Sequence, residues 1–287
     1  MGHRAPVILN ADGPPVEGPS ESSPPEHLAA LLKRSMDLLR VEFFDTAAGR
    51  VRYEAMPGSA AFAAYCGMAV ALRGFPLASL RSDPDRLAFW INMYNALVIH
   101  GIIALGLRQS VWEAGPFFRR VRYLVGGQIF SLDDIEHGIL RGNRRGPSRL
   151  RRQFRAAWGR LPFPTSDPRL RFRVEKLDPR IHCALVCGSR SCPPIEAYHP
   201  QTIDEELDIA AAHFVNSRQV EVRPAEDCLV LSRIFSWYRR DFEEACGSLP
   251  AFLLRYLLDP AARDYLATVG ERVRIRFTPY DWSPNAA

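Results

Sequence analysis

Residues 180–195 read RIHCALVCGSRSCPPI, which sets His182 and three thiols, Cys183, Cys187 and Cys192, around a tight Gly/Ser/Pro turn. Imidazole and sulfur together serve three chemistries: nucleophilic catalysis, metal binding and thiol–disulfide exchange. A nucleophilic cysteine needs a base, because a free thiol titrates at about 8.5, and a third group must orient that base. Cys187 is the better nucleophile. Gly188 offers an N–H beside a developing oxyanion, whereas Pro193, after Cys192, has none. His182 or His137 is the candidate base, and Asp281, Asn95 or Glu136 the candidate orienter.

The two other chemistries draw on the same residues. His182, Cys187, Cys192 and His199 offer four zinc ligands, but the spacing H-x4-C-x4-C-x6-H lacks the CxxC pairs of structural zinc sites. Cys187 and Cys192 are also a candidate disulfide, spaced more widely than CxxC. Cys66, Cys183, Cys228 and Cys246 read as reduced structural thiols. No metal and no cofactor is expected.

The elements that must position these groups can be read from pattern. Ile181–Val186 is a compact apolar run ahead of a turn, which predicts a short buried strand. On a continuous strand His182 and Cys187 would face opposite sides, so they meet only if the strand ends before Cys187. Asp85–Leu105 is apolar nearly all round and predicts a central buried helix. Asn92 and Asn95 share one of its faces, where they either tie down loop backbone or face a site. Val121–Val125 and Gln128–Phe130 flank Gly126-Gly127, a hairpin signal. Ser131 with Asp134 can cap the next helix, LDDIEHGILR, which carries Glu136 and His137. Helices are also predicted at 28–39, 59–72, 203–215, 235–246, 249–258 and 261–268. A second hairpin joins Val220–Arg223 to Cys228–Ile234, and a last strand covers Val273–Phe277. This mixture predicts an α+β fold, with a mixed or antiparallel sheet surrounded by several helices.

Composition narrows the class. The chain has 287 residues, a net charge of +5 and only two lysines, Lys33 and Lys176. Residues 1–25 are rich in Pro, Gly, Ser and Glu and predict a disordered arm, with a single globular domain over 26–287. No apolar h-region or myristoylation pattern opens the sequence, and no run is long enough to span a bilayer. A cytoplasmic protein with reduced thiols is expected, without membrane contact. Arg141–Arg160 holds eight arginines interleaved with Phe154 and Trp158. It reads as a solvated insertion rather than a nucleic-acid surface, given the arginine bias throughout.

Four blocks carry a family resemblance: FWINMYNAL at 89–97, LDDIEHGILR at 132–141, DPRIHCALVCGSRSCPPI at 178–195 and FSWYRRDF at 235–242. With YDWSPN at 280–285 they resemble the family named domain of unknown function 547, from the third helix to the C-terminus. That family has no established activity to carry over. Its occurrence beside leucine-zipper, signalling or glutaredoxin-like segments implies an interaction role as readily as an enzyme. The positions matching its pattern include Asn92, Tyr94, Asn95, Glu136, His137, His182, Cys187, Cys192, Trp237, Tyr238, Asp241, Tyr280, Asp281 and Trp282. His199 is outside that pattern, and Pro284 stands where the family more often has an apolar residue.

Polar groups drawn from distant segments imply one shared pocket. The reading is therefore a thiol-dependent hydrolase or acyl transferase, comparable to papain-like or transglutaminase-like enzymes by analogy only. The alternative is a non-catalytic protein-interaction module whose buried polar network is structural. Substrate and partner stay open.

Overall fold

The structure, a computed structural model, describes residues 5–11, 25–45, 48–147 and 161–287. In chain order come β1 (Val7–Ile8), α1 (Pro25–Phe43), β2 (Phe44–Asp45), β3 (Arg50–Val51), α2 (Ala60–Ala71) and α3 (Asp83–Ala104). A single turn, α4 (Phe117–Arg120), leads into β4 (Val121–Val125), β5 (Gln128–Ser131) and a π-helix over Asp134–Leu140. The rest comprises α5 (Ile203–Val215), β6 (Val220–Arg223), β7 (Cys228–Leu231), α6 (Arg233–Trp237), α7 (Arg239–Cys246), α8 (Leu249–Tyr256), α9 (Pro260–Val269) and β8 (Arg274–Phe277).

The α+β class is as expected, with the strands divided among three small sheets. Strands β1, β4 and β5 form one, with β1 parallel to β4 and β4 antiparallel to β5. Strands β2 and β3 pair alone, and β6, β7 and β8 form the third. The Gly126-Gly127 turn takes positive φ at both positions, as a two-residue hairpin turn requires.

Helix α3 is the axis of the molecule. Ser82 and Asp85 cap each other's backbone at its start, with Pro84 in the first turn. Every residue from Leu87 to Ile102 is buried. Each large apolar side chain held there, such as Trp90 or Phe89, contributes about 1.5–3 kcal/mol. The helix is long and apolar enough to cross a membrane, yet it is wrapped by protein. A second apolar cluster gathers around α7, α8 and β7, with Phe235, Phe242 and Phe252 at its centre.

Three expectations change. Residues 5–11, assigned by composition to a disordered arm, are folded: β1 pairs with β4, and buried Asn10 bonds Ala69 O (2.8 Å) and Leu124 on both its O and N–H (2.8 Å each). The rest of that arm, 12–24, and its first residues, 1–4, lie outside the described residues, as does most of the Arg-rich insertion, 148–160 with Phe154 and Trp158. The predicted strand at 181–186 is instead a 3₁₀ turn, Pro179–Cys183, capped by the Asp178 side chain, followed by irregular chain. An apolar run alone does not distinguish a strand from any other buried segment, and here side chains of α3 rather than a neighbouring strand satisfy the backbone. Finally, the helix expected at 235–246 breaks at Tyr238 into α6 and α7.

Candidate functional site

The break at Tyr238 and the π-helix build the site together. Ser131 and Asp134 exchange the expected capping bonds (3.1 and 2.9 Å), which fixes the start of the LDDIEHGILR segment. Its wider π turn, closed by Arg141 N–H donating to Glu136 O (2.9 Å), brings neighbouring side chains closer in angle than an α-helix would. Glu136, His137 and Arg141 all become buried on one side. Gly138 is obligatory there, since a Cβ would meet the Phe163 ring at 2.3 Å.

Tyr238 donates to Glu136 Oε1 from one side and Tyr94 donates to its Oε2 (3.1 Å) from α3. Burial lifts the Glu136 carboxyl to about 7; the Tyr238 bond and the Arg141 charge only partly oppose it. Arg141 forks onto Asp241 with Nε to Oδ2 at 2.7 Å and Nη2 to Oδ1 at 3.0 Å, and also donates to His137 Nδ1 (3.2 Å). His182 Nε2 donates to Asp241 Oδ2 (2.9 Å), and its ring stacks on Tyr238 with centroids 3.7 Å apart. Burial alone would raise the Asp241 carboxyl, but bonds from His182 and Arg141 hold it well below the usual carboxylate range. Burial pushes both His137 and His182 down, and the Arg141 charge adds to that while the Asp241 carboxylate opposes it.

Beside this network, the walls of a cavity of about 80 Å³ include Glu136, His137, His182, Cys187, Cys192 and Tyr94. It opens where the two apolar clusters meet. Trp112, Trp237, Tyr280 and Trp282 form an aromatic rim, with neighbouring centroids 4.6–4.8 Å apart. Cys187 and Cys192 are joined as a disulfide. Tyr280 Oη sits 3.0 Å from Cys187 Sγ and 3.4 Å from Cys192 Sγ, and Ser189 Oγ lies 3.1 Å from Cys187 Sγ.

The structure therefore brings five of the seven predicted site residues to one cavity: Glu136, His137, His182, Cys187 and Cys192. The other two are elsewhere. Asn95 donates to Ala184 O (3.1 Å) and accepts from Val186 N–H (3.0 Å), so it clamps the backbone ahead of the cysteine loop. Asn92 does the same for Tyr198 (2.8 and 2.9 Å). Asp281 is exposed and accepts from Ser283, while its neighbours Tyr280 and Trp282 turn inward. Neither Asn95 nor Asp281 orients a histidine, because Asp241 holds that position. Arg141, read as the start of a solvated insertion, is its buried counter-ion. Asp241 carries the family pattern in FSWYRRDF, the one sequence signal that marked it.

Other expectations are corrected by partners. No histidine contacts Cys187, whose sulfur touches Cys192, Ser189 and Tyr280, so a preformed Cys–His pair is absent among the described residues. The thiols expected to be reduced are oxidised at this pair, while Cys66, Cys183, Cys228 and Cys246 are free as expected. The four weighed zinc ligands separate: His182 goes to Asp241, His199 to Glu206 (2.6 Å), and the two cysteines to each other.

Fold and site thus define an α+β protein with a small aromatic-rimmed cavity that holds a disulfide and a buried carboxyl. The family model described as "Protein of unknown function, DUF547" matches residues 77–215, the family that the sequence blocks resemble. The match contains α3, the π-helix and the cysteine loop; Asp241, Tyr280 and the rest of the C-terminal wall lie beyond it. Neither a curated protein nor a solved structure matches the chain.

Proposed function

We propose that this protein is a thiol-dependent hydrolase or acyl transferase, active when the Cys187–Cys192 pair is reduced, with Cys187 as nucleophile. The observation that carries this reading is the shared cavity, which presents the Cys187 sulfur and a carboxyl titrating at about 7 behind one aromatic rim. A group with that pKa exchanges protons efficiently at neutral pH, which suits Glu136 to general acid–base work. Tyr280 Oη, 3.0 Å from Cys187 Sγ, would stabilise the thiolate by donating to it. Asp241 is a positioning residue: it fixes His182, on which Tyr238 stacks while donating to Glu136. The small cavity and its indole and phenol walls fit a compact apolar or aromatic acyl group.

The test uses the reduced full chain and a series of p-nitrophenyl esters from acetate to phenylacetate. The expected result is a nitrophenol burst, an acyl adduct on Cys187 by mass spectrometry, and loss of both in Cys187→Ser. Glu136→Gln should lower the rate by about 10²-fold or more, the usual contribution of a general acid or base. Turnover unchanged in Cys187→Ser would remove the reading. The interaction-module alternative draws support from Asn92 and Asn95, which brace backbone rather than face the cavity. It gains if the esters leave no adduct.

A further inference from the structure

The Cys187–Cys192 loop is a partition with a cavity on each side. Cys192 lines both cavities, whereas Cys187 lines only the aromatic one. The second cleft is much roomier, about 440 Å³ against about 80 Å³. Gly188, expected to serve an oxyanion beside Cys187, faces this second cleft instead. Among the described residues its charged lining is mostly cationic: Arg50, Arg190 and Arg218 stand against the carboxylate Asp45. Arg218 Nη2 donates to Arg190 O (3.0 Å), which ties two of these arginines together. Asp281 lies beyond the lining; bonds from Ser283 hold its carboxyl low, and Arg190 and Arg218 add to that.

We infer that the second cleft is a binding site for a small anionic thiol, a carboxylated low-molecular-weight mercaptan, which opens the disulfide by attacking Cys192. Thiolate attack from this side reaches the Cys192 sulfur. The new bond forms between the incoming sulfur and Cys192 Sγ, the Cys187–Cys192 bond breaks, and its electron pair leaves on Cys187 Sγ. That leaving thiolate receives hydrogen bonds from Tyr280 and Ser189, the two hydroxyls already at 3.0 and 3.1 Å. A second anionic thiol then attacks the mixed disulfide, so two thiols become one external disulfide and both cysteines are reduced. Guanidinium groups raise the local concentration of the anionic reductant and lower that of a cationic one. The aromatic cavity keeps the other face of the pair for its own occupant. The inference goes beyond the acyl-transfer reading and stands without it, because its readout is disulfide opening and not ester turnover.

The experiment takes the full chain purified without reductant and follows thiol release by alkylation and mass spectrometry. Mercaptosuccinate, 2-mercaptoethanol and cysteamine serve as anionic, neutral and cationic probes, each rate divided by its thiolate concentration. Mercaptosuccinate should outpace cysteamine by about tenfold or more, within the range of electrostatic focusing. Its trapped adduct should sit on Cys192. The gap should close in Arg190→Glu/Arg218→Glu and, without any mutation, shrink at about 0.5 M salt, where screening is strong. Equal rates, an adduct on Cys187, a gap that survives salt, or both cysteines alkylated before any thiol is added would each overturn the inference. A protein with the anionic preference but no ester turnover would retain this inference and lose the proposed function.

Discussion

His100 and His182 are both buried histidines bonded to a polar partner, and they teach opposite lessons. His100, on α3, meets Tyr123 Oη through Nδ1 (2.7 Å); Tyr123 meets Tyr65, which donates to Ala96 O (3.1 Å). Every member of that chain is uncharged, and Phe62, Tyr65 and Tyr123 pack edge-on around the His100 ring within the core. Burial pushes His100 down to about 4, which keeps it neutral. His182 shares its partner Asp241 with the Arg141 guanidinium and lies at a cavity wall beside a carboxyl and a disulfide. Burial and hydrogen bonding are common to both, so neither marks a site. Charged groups held out of water, next to an opening, separate the two.

The largest test of that contrast is stability. Asp241→Ala strips the partner from a buried guanidinium and should cost about 3–5 kcal/mol in urea unfolding. Tyr123→Phe removes one neutral hydrogen bond and should cost about 1 kcal/mol. Equal costs would erase the distinction between the two networks.

Next is the pH dependence, where Glu136 and His100 have opposite signs. Glu136 is raised from 4.5 to about 7 in the folded state, so the native protein holds its proton more tightly than the unfolded chain. Its contribution is full below about 4.5 and is lost as pH rises through 7, by about 3 kcal/mol in total. His100 is lowered from 6.5 to about 4, so its contribution is present above 6.5 and is lost as pH falls towards 4. Glu136→Gln should abolish the loss on the alkaline side, and His100→Phe should shrink the acid-side loss, whose remainder comes from His137, His182 and Asp241, all held below their ordinary range. Unfolding curves at half-unit steps from pH 4 to 8 read both, and a wild-type slope unchanged in either variant breaks the assignment.

The smallest effect is the most local. Tyr280→Phe should alter stability by at most about 1 kcal/mol. After reduction, it should move the pH midpoint of iodoacetamide labelling at Cys187 upward, because the thiolate loses a donor. Tyr123→Phe, equally a lost tyrosine hydroxyl, should leave that midpoint where it was.

Local signals were legible in the sequence and long-range partners were not. The Gly126-Gly127 hairpin, the Ser131 cap and the apolar breadth of α3 each depend on neighbours within a few residues, and each stands in the structure. The strand predicted at 181–186 failed because its backbone is satisfied by Asn95, about ninety residues earlier. The candidate orienters Asp281, Asn95 and Glu136 did not include Asp241, because only the fold decides which acid reaches His182. Convergence of Glu136, His137, His182, Cys187 and Cys192 was legible through the family resemblance, whose matching positions include polar groups from distant segments that need a common place to go. The π-helix that turns Glu136, His137 and Arg141 to one side left no mark in the residue pattern.

The amide clamps on α3 limit how far the cysteine loop can move once its disulfide opens. Asn95 grips the chain at Ala184 and Val186 and Asn92 grips it at Tyr198, one on each side of the loop and both from a helix that is itself immobilised by burial. The loop is thus tethered at both ends whether or not its sulfurs are bonded. Once parted, Cys187 and Cys192 remain at a high effective concentration towards each other, because the tether rather than the S–S bond sets their separation. The pair behaves like a latch mounted on a fixed frame: a reducing thiol can open it, and an oxidising external disulfide can close it again, without the surrounding structure having to be rebuilt.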